Sequence, residues 1–166
     1  MNSESDKDKL TLATNYVKTF SSCWQLEDPE LFLKHFCESM TSNIRLEQPL
    51  MPISNGHKQF SREFRCLKTF IPDLKGTVKH WSWNGDYLYI ELSLGGTLGK
   101  NYVEWNLLDR LKLDEQGKCS ERISYFDPLP LILRIILTPT SWFRLFRSGM
   151  IGLMIKGVKP ITVKKY

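Results

Sequence analysis

Between Tyr102 and Asp127, apolar and polar residues alternate along two stretches joined by Asp114-Glu115-Gln116-Gly117. In the first stretch the odd positions Val103, Trp105, Leu107, Asp109, Leu111 and Leu113 form an apolar stripe containing one carboxylate. The even positions carry Glu104, Asn106, Arg110 and Lys112. A period of two with one apolar side predicts a strand with one buried face. Pairing Leu113 with Lys118 across the turn puts Asp109 opposite Arg122, Leu107 opposite Ser124 and Trp105 opposite Phe126.

Upstream the period changes to that of helices. Leu10, Ala13, Tyr16, Val17, Phe20 and Trp24 predict an amphipathic helix to about Leu26, with residues 1–8 a disordered tail. Asp28-Pro29-Glu30 reads as a helix start: a capping side chain, a proline in the first turn, an acid near the positive end of the dipole. Leu31, Phe32, His35, Phe36 and Met40 form that helix's expected buried stripe. A strand follows from Asn43 to Gln48, ended by Pro49 and Pro52, which cannot donate to a ladder. Phe60, Phe64, Leu67 and Phe70 mark a third helix stopped by Pro72. Thr77 to Trp83 and Asp86 to Leu94 flank Asn84-Gly85, a two-residue hairpin signal, and Leu88, Ile90 and Leu92 make the inward side of the second strand. Gly95-Gly96 is expected to break it. The order predicts an α+β domain over residues 9–128, a curved antiparallel sheet covered by three N-terminal helices. An apolar, basic C-terminal extension runs over 129–166.

Composition alters this picture in one respect. The chain of 166 residues has a net charge of +5. All of the excess comes from Pro128 to Tyr166, where Arg134, Arg144, Arg147, Lys156, Lys159, Lys164 and Lys165 face no acidic residue. A basic tail on an acidic body is not a nucleic-acid footprint of the domain, so none is expected as a partner. The polar start MNSESDKDK lacks the apolar core of a signal peptide. Four widely spaced cysteines without a C-x-x-C pair read as reduced thiols, which implies a cytoplasmic protein. Scattered histidines and cysteines give no metal-ligand spacing, and no glycine-rich phosphate loop or nucleophile elbow is present.

Several local motifs recur in a fixed order: Glu47-Gln48-Pro49, Phe70-Ile71-Pro72-Asp73, Asn84-Gly85-Asp86, and Gln116-Gly117-Lys118 leading into Arg122-Ile123-Ser124-Tyr125-Phe126-Asp127-Pro128. Over about residues 9 to 130 the chain resembles the SnoaL-like group of the nuclear transport factor 2-like superfamily, which includes polyketide cyclases and ketosteroid isomerases. The resemblance implies a cone-shaped fold enclosing an apolar pocket, used without cofactor or metal. By the same resemblance Tyr16 and Asp109 stand where the isomerases place an oxyanion hole of a tyrosine and a protonated aspartate. The isomerase base position holds Gln48. The histidine-x-aspartate of the cyclases is matched by Arg122 and Ser124, so both usual bases are replaced.

The expected site is therefore a polar cluster in an apolar chamber. Asp109, Tyr16 and Arg122 are the candidate catalytic groups. Gln48, Leu88, Ile90, Leu92, Trp105, Leu107, Ser124 and Phe126 are the candidate ligand contacts. Opposite Arg122, Asp109 is either the charged half of a structural ion pair or, unpaired, a protonated donor. Tyr16 is either a donor or a core residue of its helix. His80, if turned inward, is the other base available near neutral pH. Two readings follow: a cofactor-independent isomerase or cyclase acting on a small hydrophobic molecule, and a non-catalytic binding or interaction module. A homodimer is expected in either case. Residues 129–158 read either as helices packed over the cone mouth or in a dimer contact, or as a peripheral membrane contact, aromatic and aliphatic side chains among cations. Arg134, Arg144 and Arg147 argue against a spanning helix.

Overall fold

The computed structural model describes residues 3–157. In chain order the elements are α1 (Ser3–Cys23), α2 (Pro29–Glu38), β1 (Met40–Glu47), β2 (Ser54–Asn55), α3 (Gly56–Phe70), β3 (Lys75–Trp83), β4 (Leu88–Leu98), β5 (Asn101–Leu113) and β6 (Cys119–Tyr125). Three short helices follow: α4 (Leu129–Ile136), α5 (Trp142–Ser148) after a 3-10 turn, and α6 (Met150–Gly157). The fold is α+β, a curved and unclosed sheet in the order β2-β1-β6-β5-β4-β3 with helices against it. α1 begins at Ser3, inside the stretch read as a tail.

Local chemistry accounts for the boundaries. The Asp28 side chain accepts from the amides of Glu30 at 2.8 Å and Leu31 at 3.3 Å, capping α2 as its sequence implies. The buried face of α2 is Phe32, Leu33 and Phe36, whereas Leu31 and His35 are exposed. His35 is turned toward Glu38, 3.3 Å away on the same outer side. One pairing departs from the antiparallel expectation: β1 runs parallel to β6, so the sheet is mixed. These strands are joined through α3 and four further strands, and only tight hairpins force neighbours to be antiparallel.

Gly95 and Gly96 do not end β4, which continues to Leu98. They are there for close approach. A Cβ on Gly96 would lie 2.3 Å from Ile71 Cγ2, and one on Gly95 would meet the Tyr102 hydroxyl. The β3–β4 loop has four residues, since Trp83 pairs with Leu88. Asn84 Oδ1 accepts from the amides of Asp86 and Tyr87 and fills the turn.

The β5–β6 register is also shifted. Leu113 pairs with Cys119 across a five-residue loop, and a bulge at Ser120 adds one more residue. Asp109 is therefore opposite Ser124, and Leu111 is opposite Arg122. A shift of two leaves every side chain on its expected face, because the side-chain period is two.

Aromatic rings fill the space between helices and sheet. Phe32 stacks on Phe64 with centroids 4.1 Å apart, Trp24 meets Phe32 edge-on at 5.1 Å, and Phe36 reaches Phe60 at 5.5 Å. The C-terminal helices fold back on the domain, with Ile135, Leu145, Met150 and Leu153 buried. Trp142 Nε1 donates to the Ile135 carbonyl at 2.9 Å and fixes the corner between α4 and α5.

Candidate functional site

The inward faces of β5 and β6 bring three polar side chains together in the core. Asp109 is fully buried, and Arg122 and Ser124 nearly so. Arg122 Nε lies 2.9 Å from Asp109 Oδ2, and the Ser124 hydroxyl donates to Asp109 Oδ1 at 2.5 Å. The Nε–H is not aligned along the contact, so Arg122 and Asp109 meet as charges rather than through a directed hydrogen bond. The Arg122 guanidinium also lies 5.9 Å from the Phe20 ring and 6.0 Å from the Phe36 ring, each within reach of a cation–π attraction. Arg122 and Asp109 thus stand at ion-pair distance, with Ser124 on the other carboxyl oxygen.

Tyr16 reaches the same region from α1. Its hydroxyl is buried and has no aligned hydrogen-bond partner among the described residues. Burial, with the neighbouring Cys119 thiol adding to it, holds the Tyr16 hydroxyl well above the usual tyrosine range. Cys119 is itself pushed up to about 12 by burial. Both groups are neutral at any ordinary pH.

Two adjoining cavities open beside this cluster. One, of about 50 Å³, has Gln48, Arg122, Ser124, Phe60, Glu63 and Phe64 among its walls. The other, of about 70 Å³, is lined by Trp105, Leu107, Phe126, Leu131, Ile135 and Met154 among others. They share the walls Gln48, Met51, Leu67 and Leu94. Of the sequence-derived candidates, Gln48, Trp105, Leu107, Arg122, Ser124 and Phe126 line these spaces. Leu88, Ile90 and Leu92 are fully buried in the core and off the cavity walls. Asp109 and Tyr16 stand behind Arg122 and Ser124 rather than on a wall. His80 is exposed on β3, so it offers no base to the interior.

A residue that the sequence reading passed over stands on the wall. Glu63, on α3, is 5% exposed. One carboxylate oxygen accepts from the Ser54 hydroxyl and the other from Gln59 Nε2 at 3.0 Å. No cation pairs with it among the described residues, which is unusual for a buried carboxylate. The signal was present: Glu63 falls within the apolar stripe Phe60, Phe64, Leu67, on the side of α3 that must face inward. The polar groups on these walls are the donors Arg122 and Gln48, the hydroxyls of Ser54 and Ser124, and two carboxylates, Glu63 and Glu47, of which Glu47 is held by Arg45 at 2.6 Å; the rest is largely apolar. Among the described residues no cluster of His, Cys, Asp or Glu could hold a metal ion.

No protein-family model and no curated protein matches the chain. Solved structures do. A protein from Jannaschia sp. CCS1 assigned as a SnoaL-like polyketide cyclase superposes with a TM-score of 0.68 at 18% identity, over 78% of this chain and 94% of its own. A protein from Catenulispora acidiphila with a ketosteroid isomerase-like fold, in complex with trimethylamine, gives 0.63 at 15% identity, over 76% and 95%. One from Bacillus cereus assigned as a polyketide cyclase gives 0.62 at 19%, over 76% and 82%. The fold is that of the SnoaL-like, nuclear transport factor 2-like proteins. α4 to α6 are what this chain adds beyond the 9–130 stretch that carries the sequence resemblance.

Proposed function

We propose that the chain binds a small hydrophobic molecule bearing a carbonyl oxygen in the paired cavities and moves a proton on it without a cofactor, as an isomerase or cyclase does. The observation that carries this reading is that Arg122 and Glu63 line one apolar cavity. A carbonyl oxygen toward Arg122 and Gln48 presents the neighbouring C–H to Glu63. The proton passes to the carboxylate, the C–H electron pair becomes the new C=C bond, and the carbonyl π pair moves onto the oxygen, where the guanidinium stabilises the enolate. Return of the proton at another carbon gives an isomer. Attack of the enolate carbon on a second carbonyl of the same molecule gives a ring. Asp109 acts through Arg122: it fixes the guanidinium, and Ser124 in turn fixes Asp109. Neutral Tyr16 completes the polar end without adding charge.

The cavities are small against the roughly 300–1,000 Å³ of ordinary ligand pockets. Met51, Met150 and Met154 in their walls are flexible side chains suited to giving way around a ligand. Binding is tested by thermal shift and calorimetry with a panel of cyclic ketones, using Leu67→Trp to fill both cavities. Saturable binding that this variant abolishes supports the reading; binding unaffected by it contradicts it. The second reading, a binding module without catalysis, is favoured by Gln48 and Ser124 standing where the resemblance places acids. It predicts binding with no proton exchange.

A further inference from the structure

The three C-terminal helices are apolar on both sides. Their inner side, through Leu131, Ile135, Met150 and Met154, closes the second cavity. Their outer side leaves large apolar side chains in solvent: Leu137 is 74% exposed, Phe143 72%, Phe146 68% and Ile155 70%. Leu133 and Ile136 are about half exposed beside them. The hydrogen bond from Trp142 to Ile135 holds the α4–α5 corner together, so Leu137 and Phe143 lie on either side of one fixed bend. Among these residues stand the exposed cations Arg134, Arg147 and Lys156. A soluble chain does not leave this much apolar surface uncovered without a partner for it.

We propose that this face docks on an anionic lipid surface. Charge selects this occupant. The segment from Pro128 onward has seven basic residues and no acidic one. A second copy paired through the same face in a two-fold dimer would set like charges against each other, whereas anionic headgroups complement them. Geometry sets the depth. Among the described residues no single helix is long and apolar enough to cross a membrane, and α4 and the segment Pro139–Ser148 are bent by 89°. α4 has eight residues, about 12 Å at 1.5 Å per residue, against a hydrocarbon core of roughly 30 Å. Short helices of this kind lie in the interface with their rings among the headgroups and acyl boundary. The cation-bearing outer side then faces lipid while the inner side faces the cavity.

The test is co-sedimentation of the full chain with vesicles of phosphatidylcholine alone or with phosphatidylserine added, at low and high salt. Two variants are run beside it: Phe143→Glu with Phe146→Glu, and Arg134→Gln with Arg147→Gln. All four residues are exposed, and unchanged circular dichroism confirms that the variants fold. The expected result is binding to the anionic vesicles only, weakened by salt. The arginine pair should lower it by on the order of tenfold or more, at about 1 kcal/mol per cation, and the phenylalanine pair should abolish it. Failure of the full chain to sediment with anionic vesicles at low salt overturns the proposal. So does undiminished sedimentation of the phenylalanine variant. A parent dimer that the phenylalanine variant splits, with no vesicle binding, assigns the face to a second copy and also overturns it.

Discussion

Arg122 Nε lies 2.9 Å from Asp109 Oδ2 although the two residues are not cross-strand partners: Arg122 is opposite Leu111, and Asp109 is opposite Ser124. The pair spans a diagonal of the sheet inside the core, where water cannot screen it. Removing the guanidinium alone strands a buried charge. Arg122→Met should therefore cost about 3–5 kcal/mol in urea unfolding. Asp109→Leu combined with Arg122→Met removes both charges and should recover most of that loss. Equal destabilisation by the single and double variants would mean that the charges do not interact.

Glu63 separates turnover from folding. Glu63→Gln preserves shape; its carbonyl oxygen can still accept from Gln59 while its amide N–H donates to the Ser54 hydroxyl, so stability and ligand binding should change little. Proton transfer should fall by about 10²–10⁴-fold, the usual contribution of a positioned acid or base. Kinetics with any ketone that the cavity binds would measure it.

Buried thiols and a buried phenol set the alkaline limit of the fold. Burial, with Glu38 adding to it, pushes Cys23 up to about 11, and burial pushes Cys119 up to about 12, against an ordinary thiol value near 8.5. Tyr16 is raised as well. A group whose folded pKa is raised contributes stability that is complete below its unfolded pKa. That contribution is lost as pH rises toward the folded value, because the unfolded chain releases the proton first. Stability should be level up to about pH 8 and decline between roughly pH 9 and 12. Cys119→Ala should flatten part of the slope in a pH series of urea unfolding curves. An unchanged slope would mean that Cys119 does not titrate differently in the two states.

The glycine pair in β4 gives a prediction about packing. Gly96→Ala drives a methyl group into Ile71, with the Leu74 Cα 3.3 Å away, and overpacking of this kind costs about 1–3 kcal/mol. Gly95→Ala meets only the far end of the exposed Tyr102 side chain, which can swing aside. The first variant should lower the melting temperature clearly more than the second.

Much of this architecture was legible in the sequence, for local reasons. The Asp28-Pro29-Glu30 cap and the apolar stripes of α1 and α3 depend on nearby residues, and the alternation in β5 identifies which side of the strand carries Asp109. What was not legible depends on distant contacts. Nothing near Gly95 or Gly96 reveals that Ile71 and Tyr102 will lie against them. The five-residue loop and the bulge at Ser120, one residue each, moved Arg122 from opposite Asp109 to opposite Leu111, although the two still meet. The parallel pairing of β1 with β6 is decided by the long path between them. Leu88, Ile90 and Leu92 were placed on the correct face, but a face contains both wall and core, and alternation cannot separate these. Glu63 was visible within its stripe. The resemblance expects acids at other positions and so points away from it.

The most direct measurement is deuterium incorporation from heavy water into a cavity-bound cyclic ketone, followed by proton NMR. The account predicts exchange at the carbon next to the carbonyl in the native chain, blocked by Leu67→Trp. It further predicts loss of exchange in Glu63→Gln while binding persists. Undiminished exchange in Glu63→Gln, or saturable binding to the native chain with no exchange at all, would contradict it.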